Sequence, residues 1–91
     1  MLVARHFRIS GRVQGVGFRY YVERIALREG LSGYVRNLRD GSVETMVEGD
    51  AESVGRFDIA VRQGPPGARV RDVETTELTP AGRTTGFMVT G

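Results

Sequence analysis

Apolar and polar residues alternate from Val3 to Val13, with Phe7, Ile9 and Val13 on one side and His6, Arg8, Ser10 and Arg12 on the other. A period of two is the mark of a half-buried strand. Gln14-Gly15-Val16-Gly17 interrupts the alternation, and from Phe18 the spacing changes to Phe18, Val22, Ile25 and Ala26, which line one side of a helix that Gly30 stops. A second strand is predicted through about Gly33 to Leu38. Asp40-Gly41 then supplies the positive backbone angles of a tight hairpin, leading into a third strand with Val43 and Val47 inward and Glu44, Met46 and Glu48 on the opposite face. Asp50 can cap a second helix, whose Val54, Phe57 and Val61 recur at three and four residues before Gly64 and Pro65-Pro66 end it. Arg69 to Leu78 reads as a fourth strand. Its inward parity, set by Val70, slips by one at Val73, so a bulge or twist is predicted there. Thr79 to Gly86, with Pro80 and Gly82, reads as a loop, and Phe87 and Val89 predict a short terminal strand.

The order strand, helix, strand, strand, helix, strand predicts an α+β fold, the ferredoxin-like split βαβ sandwich. In it an antiparallel sheet carries both helices on one face, with one short C-terminal strand added. The chain has 91 residues, 40% of them hydrophobic, and is expected to form a single domain spanning 1–91. The absence of cysteine excludes disulfide frameworks, thiolate zinc sites, iron–sulfur clusters and cysteine nucleophiles, and fits a cytoplasmic protein. No apolar run approaches the roughly 18 residues of a membrane span, and Met1-Leu2-Val3-Ala4 is followed at once by Arg5 and His6. A soluble, unprocessed protein with no membrane partner is expected. All 13 basic side chains are arginine, and against 11 carboxylates they leave a net charge of +2. They are spread from Arg5 to Arg83 among acidic residues rather than clustered in a stripe, so no nucleic-acid partner is expected.

Gln14-Gly15-Val16-Gly17-Phe18-Arg19 lies between the first strand and the first helix. Glycines let successive backbone N–H groups converge on an anion, and the helix adds its own unpaired donors and the positive end of its dipole. Two readings fit these glycines, a phosphoryl-binding turn or an ordinary strand-to-helix turn. Arg19 sits in the first helical turn, where the dipole disfavours a cation. It either faces an anion, which a guanidinium would grip by two bonds, or runs to solvent or to Glu23. His6 is the only histidine and falls on the polar side of its strand, where a solvated residue is expected rather than a base or a metal ligand. With no metal-ligand spacing and no nucleophile–histidine pair, an enzyme built on this chain must run a reaction that needs little side-chain proton transfer. Acyl phosphates meet that condition, because the carboxylate leaves as a stable anion and only the transferring phosphoryl group and a water need placing. Asn37, donor and acceptor at once, is the candidate to hold that water, although asparagine is also common in turns.

Gly11-Arg12-Val13-Gln14-Gly15-Val16-Gly17-Phe18-Arg19 resembles the first signature of the acylphosphatase family, and Gly33-Tyr34-Val35-Arg36-Asn37 with Gly41, Val43 and Gly49 resembles its second. Gly64-Pro65-Pro66-Gly67-Ala68-Arg69-Val70 and the chain length are similar to the family too, whereas Phe87 to Gly91 departs from its more usual basic or aromatic ending. The resemblance implies a monomeric enzyme that hydrolyses the carboxyl–phosphate bond of acyl phosphates to a carboxylate and inorganic phosphate, without metal or cofactor. It also implies site roles. Arg19 and the backbone of Gln14, Gly15, Val16, Gly17 and Phe18 would bind the phosphate, or a sulfate in its place. Asn37 would hold the attacking water, and a phosphate oxygen of the substrate would accept the proton. Two non-catalytic modules share such a fold, an RNA-recognition domain and a phosphate sensor. Glu44 and Glu48 on the open sheet face would repel RNA, and Asn37 separates an enzyme from a sensor.

Overall fold

The computed structural model describes residues 1–82 and 86–91. The alternating segment forms β1 (Leu2–Arg12), and the change of period at Phe18 begins α1 (Phe18–Arg28). The second and third strands are β2 (Ser32–Asn37) and β3 (Val43–Asp50). They are followed by α2 (Ala51–Gln63), β4 (Arg69–Leu78) and β5 (Phe87–Thr90). Residues 83–85 of the expected 79–86 loop lie outside the described residues.

The strands form one sheet in the order β4-β1-β3-β2-β5. The first four pair antiparallel, as the split βαβ pattern requires, while β5 adds to the β2 edge in parallel, Gly33 opposite Phe87 through Arg36 opposite Thr90. Phe7, Ile9, Val35, Val43 and Val47 from the sheet join Val22, Ile25, Val54 and Phe57 from the helices in one buried cluster, so both helices cover the same face. The Phe7 and Phe57 rings meet at 5.4 Å and 59°, a tilted contact that adds to the roughly 2 to 3 kcal/mol of burying each ring. Tyr21 Oη donates to the Ala60 carbonyl at 2.8 Å and ties the two helices together.

The helices begin differently. Asp50 caps α2, its carboxylate accepting from the Glu52 N–H at 3.1 Å, with Glu52 itself in the first turn. Helix α1 starts at Gly17 in the left-handed conformation, φ 76°, with no side-chain cap and no acidic residue in its first turn.

Three local expectations are corrected. The parity slip in β4 is a bulge at Arg71, not at Val73: Ser10 pairs with Asp72 and Gly11 with Val70, which brings both valines to the core side. The β2–β3 connection is the five-residue stretch 38–42 rather than a two-residue turn. Only Gly41 has a positive φ, and Asp40 instead accepts from the Ser42 N–H and hydroxyl at 3.0 and 2.6 Å. His6 is half-buried and bonded to Glu44 at 2.8 Å rather than solvated, because Glu44 lies two residues along β3 from Met46, the partner of His6, and so presents its carboxylate diagonally on the same face.

The second sheet face is also less open than the alternation implies. Met46 and Glu48 point away from the helices yet are buried, and a Glu48 carboxylate oxygen accepts the Ala81 N–H at 2.9 Å, so the segment after β4 folds back over β3. Burial alone would raise the Glu44 carboxyl pKa, but hydrogen bonds from His6 and Arg36 outweigh it and hold the group below its ordinary value.

Close backbone approach fixes one glycine on β2, inside the sheet. Gly33 has φ 144°, and a Cβ there would lie 1.8 Å from the Met46 carbonyl oxygen. Gly33→Ala is therefore expected to destabilise the fold by about 3 kcal/mol, combining overpacking with backbone strain. Urea unfolding midpoints measure this, and a midpoint equal to the parent's would contradict the contact.

Candidate active site

Two left-handed glycines, Gly15 at φ 75° and Gly17 at φ 76°, turn the chain out of β1 and into α1. An L-residue at either position would be strained, which explains why the sequence spends glycines here. Between them the half-buried Val16 packs against the core and pins the turn from beneath. The first bond of α1 runs from the Tyr21 N–H to the Gly17 carbonyl at 3.0 Å. Among the described residues no protein acceptor takes the N–H groups from Gly15 through Tyr20. An uncapped helix start and a glycine turn thus leave a run of donors for a ligand.

These residues border a cavity of about 120 Å³ lined by Val13, Gln14, Gly15, Gly17, Phe18, Arg19, Tyr20 and Asn37. The structure therefore gathers Gln14, Gly15, Gly17, Phe18, Arg19 and Asn37 around one space, although Asn37 lies on a different strand from the turn. Val16 alone of the expected set is absent from the lining.

Arg19 does not pair with Glu23 among the described residues. Its guanidinium donates from Nη1 to the Thr90 carbonyl at 3.0 Å, so β5 holds it at the cavity. The cation remains at the positive end of the helix dipole without a carboxylate partner among the described residues, the state in which an incoming anion gains most. Asn37 is the last residue of β2, opposite Val43, and lies before the turn. Leu38, Gly41 and Ser42 close that turn among themselves, and among the described residues no protein group bonds the Asn37 side-chain amide. Its side chain is thus left available at the cavity.

The Gln14 side chain has a job that the sequence does not disclose. Its Nε2 donates to the Leu38 and Ser42 carbonyls at 2.8 and 2.9 Å, fastening the glycine turn to the connection just beyond Asn37. Asp40 stiffens that connection. Hydrogen bonds from the Ser42 hydroxyl and N–H, then from Arg8, bring its pKa down to about 2. A lowered carboxylate pKa strengthens the brace above the ordinary value near 3.8 and loses that gain as pH falls through about 2, so the brace holds across neutral pH. Tyr20 and Thr90 join the site without being foreseen. An aromatic residue directly after Arg19, off the helix's apolar stripe, is a readable sign of the first, but nothing local marks the carbonyl of Thr90. Among the described residues no group of three or more His, Cys, Asp or Glu side chains could hold a metal ion.

Gln14→Ala removes both fastening bonds, and since each carbonyl keeps one backbone donor, the expected loss of stability is about 2 kcal/mol. Urea titration of the pair of proteins reads it. A loss below about 0.5 kcal/mol would mean that water replaces the amide without cost.

The Acylphosphatase family model matches residues 5–89. An acylphosphatase from Thermococcus kodakarensis is 51% identical over 89 residues, covering 98% of this chain and 97% of that protein. One from Thermotoga maritima is 48% identical over 79 residues, 87% of this chain and 88% of its own. The crystal structure of acylphosphatase from Bacillus subtilis superposes with a TM-score of 0.93 at 37% identity, over 100% of both chains. With both signatures folded around one cavity and the match running nearly end to end, the chain belongs to the acylphosphatase family, hydrolases whose activity is the hydrolysis of acyl phosphates.

Proposed function

We propose that the phosphoryl group of the acyl phosphate sits in the cup of residues 14–18, gripped by their backbone N–H groups and by the Arg19 guanidinium, while Asn37 holds the attacking water. The unclaimed donors from Gly15 to Tyr20 beside a carboxylate-free arginine carry this reading. Water oxygen bonds to phosphorus as the bond from phosphorus to the acyl oxygen breaks, and the electron pair leaves on the carboxylate. A phosphoryl oxygen takes the water proton. The amides and guanidinium stabilise the charge spread over the equatorial oxygens, which is most of what phosphoryl transfer asks of a protein. No general acid is required, consistent with a cavity lining that among the described residues contains no carboxylate or histidine.

The same cup would take inorganic phosphate or sulfate. A phosphate sensor could use it equally well, and the effect of Asn37→Ala on kcat set against phosphate inhibition separates the two. RNA binding is disfavoured by Glu44 on the second sheet face and by the burial of Met46 and Glu48 there. We further propose that the 91 residues act as one cytoplasmic, monomeric domain. One continuous core and a cysteine-free composition support this.

Purified protein mixed with benzoyl phosphate should consume it, followed by ultraviolet absorbance. Arg19→Ala is expected to stay folded and lose about 3 kcal/mol of transition-state stabilisation, roughly a hundredfold or more in kcat/KM, the scale of one lost anion-hole donor. A folded variant that turns over at the parent rate would falsify the assignment. For Asn37→Ala, kcat should fall at least tenfold while inorganic phosphate inhibits with an unchanged constant, because the amide acts on the water and not on the anion. Weakened phosphate inhibition with kcat intact would move Asn37 into the anion cup instead.

A further inference from the structure

Tyr20 has no task in the fold. The buried stripe of α1 is Phe18, Val22, Ile25 and Ala26, and Tyr20 lies off it, 60% exposed. Among the described residues its hydroxyl has no hydrogen-bond partner, and its ring stacks on no other aromatic, in contrast to Phe18 and Tyr21, whose rings meet at 5.9 Å. Yet Tyr20 lines the cavity. The other lining residues divide by depth: Val13 and Phe18 are buried, while Gln14, Arg19 and Asn37 are half-buried. Of the exposed ones, Gly15 and Gly17 carry no side chain. Tyr20 is thus the side chain at the mouth.

The substrate has two ends with opposite needs. Its phosphoryl group demands the donors of the cup, so the acyl group is left to extend through the mouth, where a water-exposed aromatic face is what it meets. A tyrosine ring offers a large apolar area with few rotamers to freeze, the kind of surface on which another flat group gains most. We infer that Tyr20 is the acyl-group platform of this site and sets a preference for acyl phosphates with an aromatic acyl group over small aliphatic ones. The inference rests on the placement of the phosphoryl group in the cup proposed above.

Non-hydrolysable phosphonates test it without requiring turnover. Calorimetry on the folded parent should show benzylphosphonate binding about fivefold more tightly than methylphosphonate, the size of one aromatic contact. In Tyr20→Ala the two constants should converge through weaker benzylphosphonate binding, with methylphosphonate shifted less than twofold, and Tyr20→Phe should keep the parent's preference because the ring and not the hydroxyl is used. Equal constants in the parent, or a preference that survives Tyr20→Ala, overturns the inference, as does a ring-independent loss in Tyr20→Phe. Should the phosphonates discriminate as expected while benzoyl phosphate is not hydrolysed, the hydrolytic mechanism fails and the platform stands. Turnover of benzoyl phosphate with no phosphonate preference leaves the hydrolytic mechanism standing and removes the platform.

Discussion

A helix that starts without a cap is the constraint around which the rest of this molecule is arranged. The first N–H groups of any helix need acceptors, and α2 shows the ordinary solution, an aspartate at its N-cap and a glutamate in the first turn. Helix α1 declines both. It begins on a left-handed glycine and places an arginine where the dipole opposes one. Each choice costs stability in the free protein, and under the proposed function the missing acceptor is the phosphoryl group. Catalytic sites are where such local rules are broken, and the stability comes from elsewhere, here from the single core beneath the turn.

Around that helix start the fold supplies rigidity from several directions. Val16 anchors the turn below, Gln14 joins it to the β2–β3 connection, and β5 holds Arg19 by a carbonyl. The Asp40–Ser42 turn with Arg8 fixes the connection itself. None of these bracing contacts needs to touch a substrate for its role to matter. Electrostatic stabilisation of a transition state depends on donors that are already in place, since donors that must reorganise give back part of what they gain.

Much of this is legible in the chain, and the boundary of legibility has a physical meaning. Period and punctuation locate every strand and helix, because Phe7, Ile9 and Val13 or Val54, Phe57 and Val61 must face one core whatever lies across it. The glycine turn and Arg19 are readable for the same local reason. What escapes depends on distant partners. The β4 bulge is detectable as a parity slip, but its position at Arg71 is set by Gly11, whose missing Cβ admits the Arg69 carbonyl. The partners of Glu48 and His6, the Ala81 N–H and the Glu44 carboxylate, come from other segments. The Asp40-Gly41 pair resembles a two-residue turn because composition alone does not reveal that Ser42 will bond the aspartate.

The bond from Arg19 to the Thr90 carbonyl joins residues 71 apart, and it exists only once β5 has docked in parallel on β2. Parallel pairing between sequence-distant segments closes a large loop and is slow by topology. A nascent or partly folded chain can therefore hold its glycine turn and first helix and still leave the guanidinium unaimed. On the proposed role of Arg19, regain of turnover during refolding would therefore report the docking of β5 on β2 and not the formation of the glycine turn alone.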